Sequence, residues 1–210
     1  ITVAGQRFMS FQWENLLLEA GLVAVFLSPW TFWVRGMAAA PKSDRGKRAI
    51  WLLGERVPRV LGRFLLWWLL FRLMYQSGAI KLASNDEVWW DLSALSVHYW
   101  TQPIPNAISW YAHQMPPWFG RACVAITYFI EILCPFLIFG PRRLRRFAGC
   151  AFLFLMAVIS LTGNYTYFNF LTALLCVMLF EDAVWPLWIR RRFAGVAQRF
   201  EVDAKRIVAA

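Results

Sequence analysis

Lys81, Asp91, His98 and His113 fall in one segment, 76–119, and supply an amine, a carboxylate and two imidazoles. Such groups exchange protons near neutral pH once they come within hydrogen-bond reach of a substrate. Lys81, His98 and His113 are therefore the candidate catalytic residues, with Asp91 as a further proton-transfer group. Around them lie Tyr99, Thr101, Gln102, Trp110 and Tyr111, a candidate outer surface rich in aromatic and amide groups. The competing reading is structural: short amphipathic helices capping a bundle, with Lys81 a snorkelling anchor at a helix end. The two histidines stand 15 residues apart with no cysteine beside them, which is no metal motif, and neither a metal nor a cofactor is expected. Cys123, Cys134, Cys150 and Cys176 sit in apolar runs without a CxxC pair and read as small buried hydrophobes. No G-x-S-x-G, H-E-x-x-H or P-loop occurs, so the common hydrolase and nucleotide signals are absent.

A second group of polar residues interrupts oily sequence: Glu14, Glu19, Arg72 and Glu131, joined by Asn164 and Asn169. An ionisable group inside a membrane helix costs about 2.5–3.5 kcal/mol on insertion scales and therefore faces a partner or a wet cavity. Glu19 and Arg72 fall at the same depth, about 6–8 Å below one surface at the helical rise of 1.5 Å per residue, and are natural partners. They read either as an ion pair joining two helices or as groups that bind a polar ligand. Glu131 falls about 16 Å down, with no opposite charge at that depth, and is expected to be protonated or to face a wet crevice.

Those positions imply elements of a definite kind. Of the 210 residues 60% are apolar and only 16% charged, against about 45–50% and about 25% in soluble domains. Disorder and an ordinary water-soluble globule are excluded by that excess. A span needs about 20 apolar residues, and five candidates occur: about 14–33, 59–76, 120–139, 147–161 and 166–181. The last two share one apolar block that Thr162-Gly163-Asn164 breaks. The fold class is all-α, a polytopic membrane helix bundle with an aromatic-rich interfacial loop region at 77–118. Residues 1–182 form the bundle and 183–210 a basic tail.

Basic charge is distributed unevenly. Arginines and lysines crowd 35–63, 142–146 and 190–192, whereas 77–118 has only Lys81 with Asp86, Glu87 and Asp91. The net charge of +10 therefore follows the rule that cytoplasmic loops collect Lys and Arg, and no nucleic-acid partner is implied. Every basic cluster falls on the cytoplasmic side, and 1–13, 77–118 and 162–165 on the other. No signal peptide is visible at Ile1–Phe11, and a non-Met start suggests a piece of a longer chain. Asn164-Tyr165-Thr166 matches the glycosylation sequon in a turn too near lipid to be modified.

Five ordered motifs are specific enough to compare: FMSFQWENLLLEAG (8–21), FRLMYQSGAIKLAS (71–84), WWDLSALSVHYWTQPIPNAISWYAHQMP (89–116), PRRLRRFAG (141–149) and LTGNYTYFNFLT (161–172). Together they resemble the lipase maturation factor family over nearly the whole chain. That resemblance implies a multi-span protein of the endoplasmic reticulum membrane, or of the inner membrane in a bacterium, which helps secreted lipases fold and assemble. Glu14 stands where the family is expected to carry Asp, and the family's large soluble domain would follow the spans. More remotely, Gly78-Ala79-Ile80-Lys81 is similar to a segment of the vitamin K-dependent gamma-carboxylase-like superfamily, which would make Lys81 a base.

Two functions follow as expectations. The preferred one is a chaperone-like membrane maturation factor whose partners are the lipid bilayer and a secreted lipase or similar exported client. The alternative is a membrane enzyme modifying a polypeptide or lipid, with an outward cavity lined by Glu19, Arg72, Lys81, His98 and Asn164. Transport fits less well, because the polar in-span residues crowd the outer half and Glu131 alone goes deep.

Overall fold

The computed structural model describes residues 12–27, 57–102, 106–163, 165, 167–181 and 184–191, with side chains at 12–13, 26–27 and 57–59 excluded. The described residues are all helical or turn, with no strand. Helix α1 is Gln12–Leu27, α2 Val57–Ala83, α3 Glu87–Trp90, α4 Ala94–Thr101 and α5 Ala107–His113. Then come α6, Pro117–Tyr128, α7, Arg142–Thr162, and α8, Phe168–Val177. The 28–56 connector, the N-terminal 1–11, Asn164 and the tail beyond 191 lie outside the described residues. The described residues from Phe180 onward belong to a separate unit, in which Phe180 meets Trp185 edge-on.

Several boundaries differ from expectation for identifiable reasons. Helix α2 does not stop at Gln76. It runs through Ser77-Gly78-Ala79-Ile80-Lys81 to Ala83, so Lys81 lies in its last turn rather than in a loop. What ends it is Asn85, whose φ of 54° is the left-handed conformation that asparagine tolerates at a helix C-terminus. Helix α7 starts at Arg142, five residues before the expected 147, because Pro141 opens it and the arginines are good helix formers. Helix α8 has ten residues where 166–181 was expected, ending in a turn through Met178 and Leu179.

The third expected span, 120–139, is one continuous coil that changes pitch twice. It is α-helical from Pro117 to Tyr128, π-helical over Phe129–Leu133 and 3₁₀ over Cys134–Phe139. Proline 135 lies at the start of the 3₁₀ section, where its missing N–H removes an i→i−4 bond. A π-turn inserts an extra residue per turn and is found mostly where a side chain must be redirected, frequently at functional sites.

Among the described residues two helices have the length and composition to cross a membrane: Pro117–Phe139 and Arg142–Thr162. Helix α1 packs on α2, α2 on the π and 3₁₀ sections, and α7 on α8. Between them lies a cluster of Leu16, Leu70, Ile130, Phe152, Met156, Leu175 and their neighbours. Ala148, Gly149, Cys134 and Cys176 are also buried there, and small residues let helix backbones approach closely where lipid supplies no hydrophobic drive. Conversely Leu22, Trp68, Phe136, Phe154, Phe170 and Leu174 are exposed.

The contacts also order the helix ends. Trp67 Nε1 donates to the Met178 carbonyl at 3.1 Å, and the Arg145 guanidinium lies 4.5 Å from the Trp67 ring centre. The arginine end of α7 therefore meets the early part of α2 and the end of α8. At the opposite end of α7, Leu161 and Thr162 meet the segment holding α4 and α5.

Candidate functional site

Helix α2 brings Lys81 against the π-turn. Gly78, one turn earlier, allows that approach: a Cβ there would stand 2.6 Å from Ile132 Cγ1 and 3.0 Å from Glu131 Cβ. Both carboxylate oxygens of Glu131 accept from Lys81 Nζ, and the pair lies deep, with 22% and 4% side-chain exposure. The expectation that Glu131 lacks an opposite charge is therefore overturned. Seven extra residues of α2 and the altered pitch at Phe129–Leu133 bring the two to one level. The ammonium also lies 5.3 Å from the Trp89 ring centre, and Tyr128 Oη donates to the Trp89 carbonyl at 3.2 Å. A lysine so engaged ties the end of α2 to the π-turn.

Beside this pair stands His98. Its Nε2 lies 2.9 Å from the Tyr165 hydroxyl, and the two rings stack with 6.2 Å between centres and 13° between planes. Burial lowers the His98 pKa below the ordinary 6.5, and the nearby Lys81 ammonium adds to that. Burial likewise raises Tyr165. Neutral imidazole and protonated phenol are the forms so favoured, a pair in which the phenol donates when Nε2 carries no proton.

The segment from α4 to α5 is fastened to α7 by side-chain amides. Gln102 Nε2 donates to the Thr162 carbonyl at 3.0 Å and to the Tyr99 carbonyl at 3.2 Å. Asn106 Nδ2 donates to the Leu161 carbonyl at 2.9 Å, while Asn106 and Ser109 cap α5 reciprocally. These carbonyls end α7 and have no helical partner, so the amides satisfy them. Tyr99 and Gln102 are buried; Trp90, Trp100, Trp110, Tyr111 and Trp118 are exposed.

The other expected residues are dispersed. Arg72 pairs with Glu19, about 13 Å along α2 from Lys81 at the helical rise. Asn169 Nδ2 donates to Ser160 Oγ at 3.0 Å. Glu14 Oε2 is buried without a hydrogen-bond partner among the described residues. Asp91 accepts from Ser93 N at 2.8 Å, and its hydrogen bonds to Ser93 hold its carboxyl below the usual range. Thr101 bonds back to the Val97 carbonyl. His113 lines a groove with Tyr99 and Arg121 that includes none of Glu19, Arg72, Lys81 or His98. Lys81 and His98 share one neighbourhood and Glu19 and Arg72 form another, while Asn164, the fifth residue of the expected cavity, lies outside the described residues. Among the described residues no cluster of three metal-ligating side chains occurs. Sequence reasoning missed Tyr165, Trp89 and Asn106. For Asn106 a signal existed, since Asn-x-x-Ser ahead of an apolar run is a capping pattern.

Residues 1–187 match the family described as the lipase maturation factor transmembrane domain. The chain belongs to the lipase maturation factor family. Over 179 residues it is 46% identical to Lipase maturation factor 2 of Xenopus tropicalis, which covers 85% of this chain and 23% of that protein. Human Lipase maturation factor 2 is 42% identical over 179 residues, again 85% of this chain and 24% of the relative. Mouse Lipase maturation factor 1 is 36% identical over 180 residues, 85% and 28% of the two chains. The chain thus spans about a quarter of the length of these relatives. No solved structure matches it. Family membership and two helices of spanning length make this a membrane protein.

Proposed function

We propose that this chain is the bilayer-embedded part of a maturation factor that holds a secreted lipase on its outer side while the lipase folds and assembles. Helices α1, α2, α6, α7 and α8 with their flanking residues serve as five crossings of alternating direction. The Trp67–Met178–Arg145 contacts support one common end, and the amide bonds to Thr162 and Leu161 support the other. In this reading the arginine end faces the cytoplasm and the α3–α5 segment faces the lumen of the endoplasmic reticulum. The observation that carries it is the fastened segment itself: Gln102 and Asn106 hold a row of exposed aromatics at the end opposite Arg142–Arg146. Exposed Trp and Tyr on a rigid support supply contact area at small entropic cost.

The test uses the full-length protein in cells lacking their own maturation factor, with lipase activity in the medium as the readout. Replacing Gln102 and Asn106 together by Ala is expected to lower that activity several-fold while the factor's membrane level is kept. Unchanged activity would refute the role given to the segment. Lys81→Arg separates this reading from the enzymatic alternative: it retains the ion pair and is expected to retain maturation, whereas a lysine base would be lost entirely.

A further inference from the structure

Between α4, the end of α5 and the first turn of α6 lies a half-open groove of about 380 Å³. Its walls are apolar where Leu92, Leu95 and Met115 line it, and His113 and Arg121 bring nitrogen donors to it. Leu92 holds a φ of 63°, a left-handed conformation that is rare for so bulky a residue. Next to it, Asp91 stands within electrostatic reach of Arg121, yet the two form no ion pair. Asp91 adjoins the lining residue Leu92 without itself lining the groove, so opposite charges stand at its rim and leave room for a ligand bearing both. The groove also lies at the start of Pro117–Phe139, a helix of membrane-spanning length. Trp118, in the same turn as Arg121, is exposed, as are Trp90 and Trp110, and tryptophan is enriched at headgroup level.

We propose that this groove binds one zwitterionic phospholipid from the bilayer, its phosphate on Arg121 and His113, its ammonium on Asp91, and the start of an acyl chain along Leu92, Leu95 and Met115. Arg121 supplies the forked donors that suit phosphate. Asp91 disfavours a headgroup with net negative charge, so selection arises from repulsion as well as attraction. The volume lies within the range of small-molecule sites, about 300–1,000 Å³. The groove needs no client, and its test stands apart from any lipase measurement.

The full-length protein would be stripped in detergent and titrated with phosphatidylcholine, phosphatidylglycerol or soluble phosphocholine, bound lipid being counted by native mass spectrometry. One tightly held phosphatidylcholine is expected, preferred about tenfold over phosphatidylglycerol, the scale of one favourable charge contact. Arg121→Gln should weaken phosphatidylcholine by about the same factor. Asp91→Asn should reverse the preference toward phosphatidylglycerol. Gly120→Leu serves as the blocking variant, because a Cβ at Gly120 meets nothing within 4 Å while the groove it lines would be filled. It should keep the melting temperature and abolish retention, and it decides the matter if Arg121→Gln fails to fold. Equal retention of both lipids, undiminished binding in Gly120→Leu, or soluble phosphocholine binding as tightly as the whole lipid would each overturn the proposal.

Discussion

The ion pairs Arg72–Glu19 and Lys81–Glu131 each join two elements of this bundle, and they differ in what surrounds them. Arg72 and Glu19 meet on the flank of α1 and α2, with side chains 41% and 45% exposed. Lys81 and Glu131 meet inside, where a π-turn, a glycine and the Trp89 ring close around them. On the flank, an arginine left alone extends along its stem toward polar surroundings. In the interior, neither partner has an alternative. Chemically alike pairs thus have unlike roles, because one can relax and the other cannot.

The most severe way to break this contrast is Glu131→Ala. Removing one partner of a buried pair strands the other charge and is expected to cost about 3–5 kcal/mol, read as loss of folded protein or a large fall in unfolding midpoint in detergent. Glu19→Gln, which leaves the arginine alone, should cost about 1 kcal/mol or less, the usual scale for exposed pairs. If the two variants behave alike, the contrast is wrong. Replacing Lys81 by Met and Glu131 by Leu together sharpens it further. Stability should return close to the parent, since an apolar pair of similar volume needs no charge compensation. Next in size is Gly78→Val. The added Cβ meets Ile132 and Glu131 at contact distances that require movement of the π-turn, and overpacking of this kind costs about 1–3 kcal/mol. The same change at Gly21, where a Cβ meets nothing within 4 Å, should be nearly silent in the same unfolding assay.

The flank pair and the interior pair were not equally legible in the sequence. Glu19 and Arg72 sit in apolar runs of opposite direction, and counting 1.5 Å per residue from the run ends already brings them level. The all-helical class followed from composition and run length in the same way. Lys81 and Glu131 could not be matched by counting, because the count assumed α-pitch throughout and a helix ending at Gln76. The true end depends on Asn85 adopting a left-handed backbone, and the true pitch on the π-turn and Pro135. Both are set by packing against other helices, which periodicity does not encode. Tyr165 escaped notice for a related reason: it lies in the short turn between α7 and α8, far from His98 in sequence.

A smaller effect distinguishes the fastened segment from the core beneath it. Gln102→Ala removes two amide hydrogen bonds, one to Thr162 and one to Tyr99. Each is worth about 0.5–1.5 kcal/mol. The loss should be local: amide exchange should quicken in α4 and α5 while α2 and α7 keep their protection. Uniform acceleration across the bundle would mean that the segment and the core unfold as one unit.

The smallest expected effect is on pH dependence, and it too separates segment from core. Burial and Lys81 hold the folded His98 below its ordinary 6.5. When the segment detaches, the imidazole regains that ordinary value. As pH falls below 6.5 the detached form takes a proton that the attached form resists, so attachment weakens with acidity and is pH-independent above it. Each unit of difference is worth about 1.4 kcal/mol. Limited proteolysis of the α4–α5 segment, followed between about pH 5 and pH 8 where histidine titrates, should therefore quicken toward acid. His98→Gln should flatten that profile by removing the titrating group, although it also weakens the contact with Tyr165 at every pH. A slope that survives the substitution would assign the acid sensitivity to another group and leave the His98–Tyr165 contact a packing feature alone.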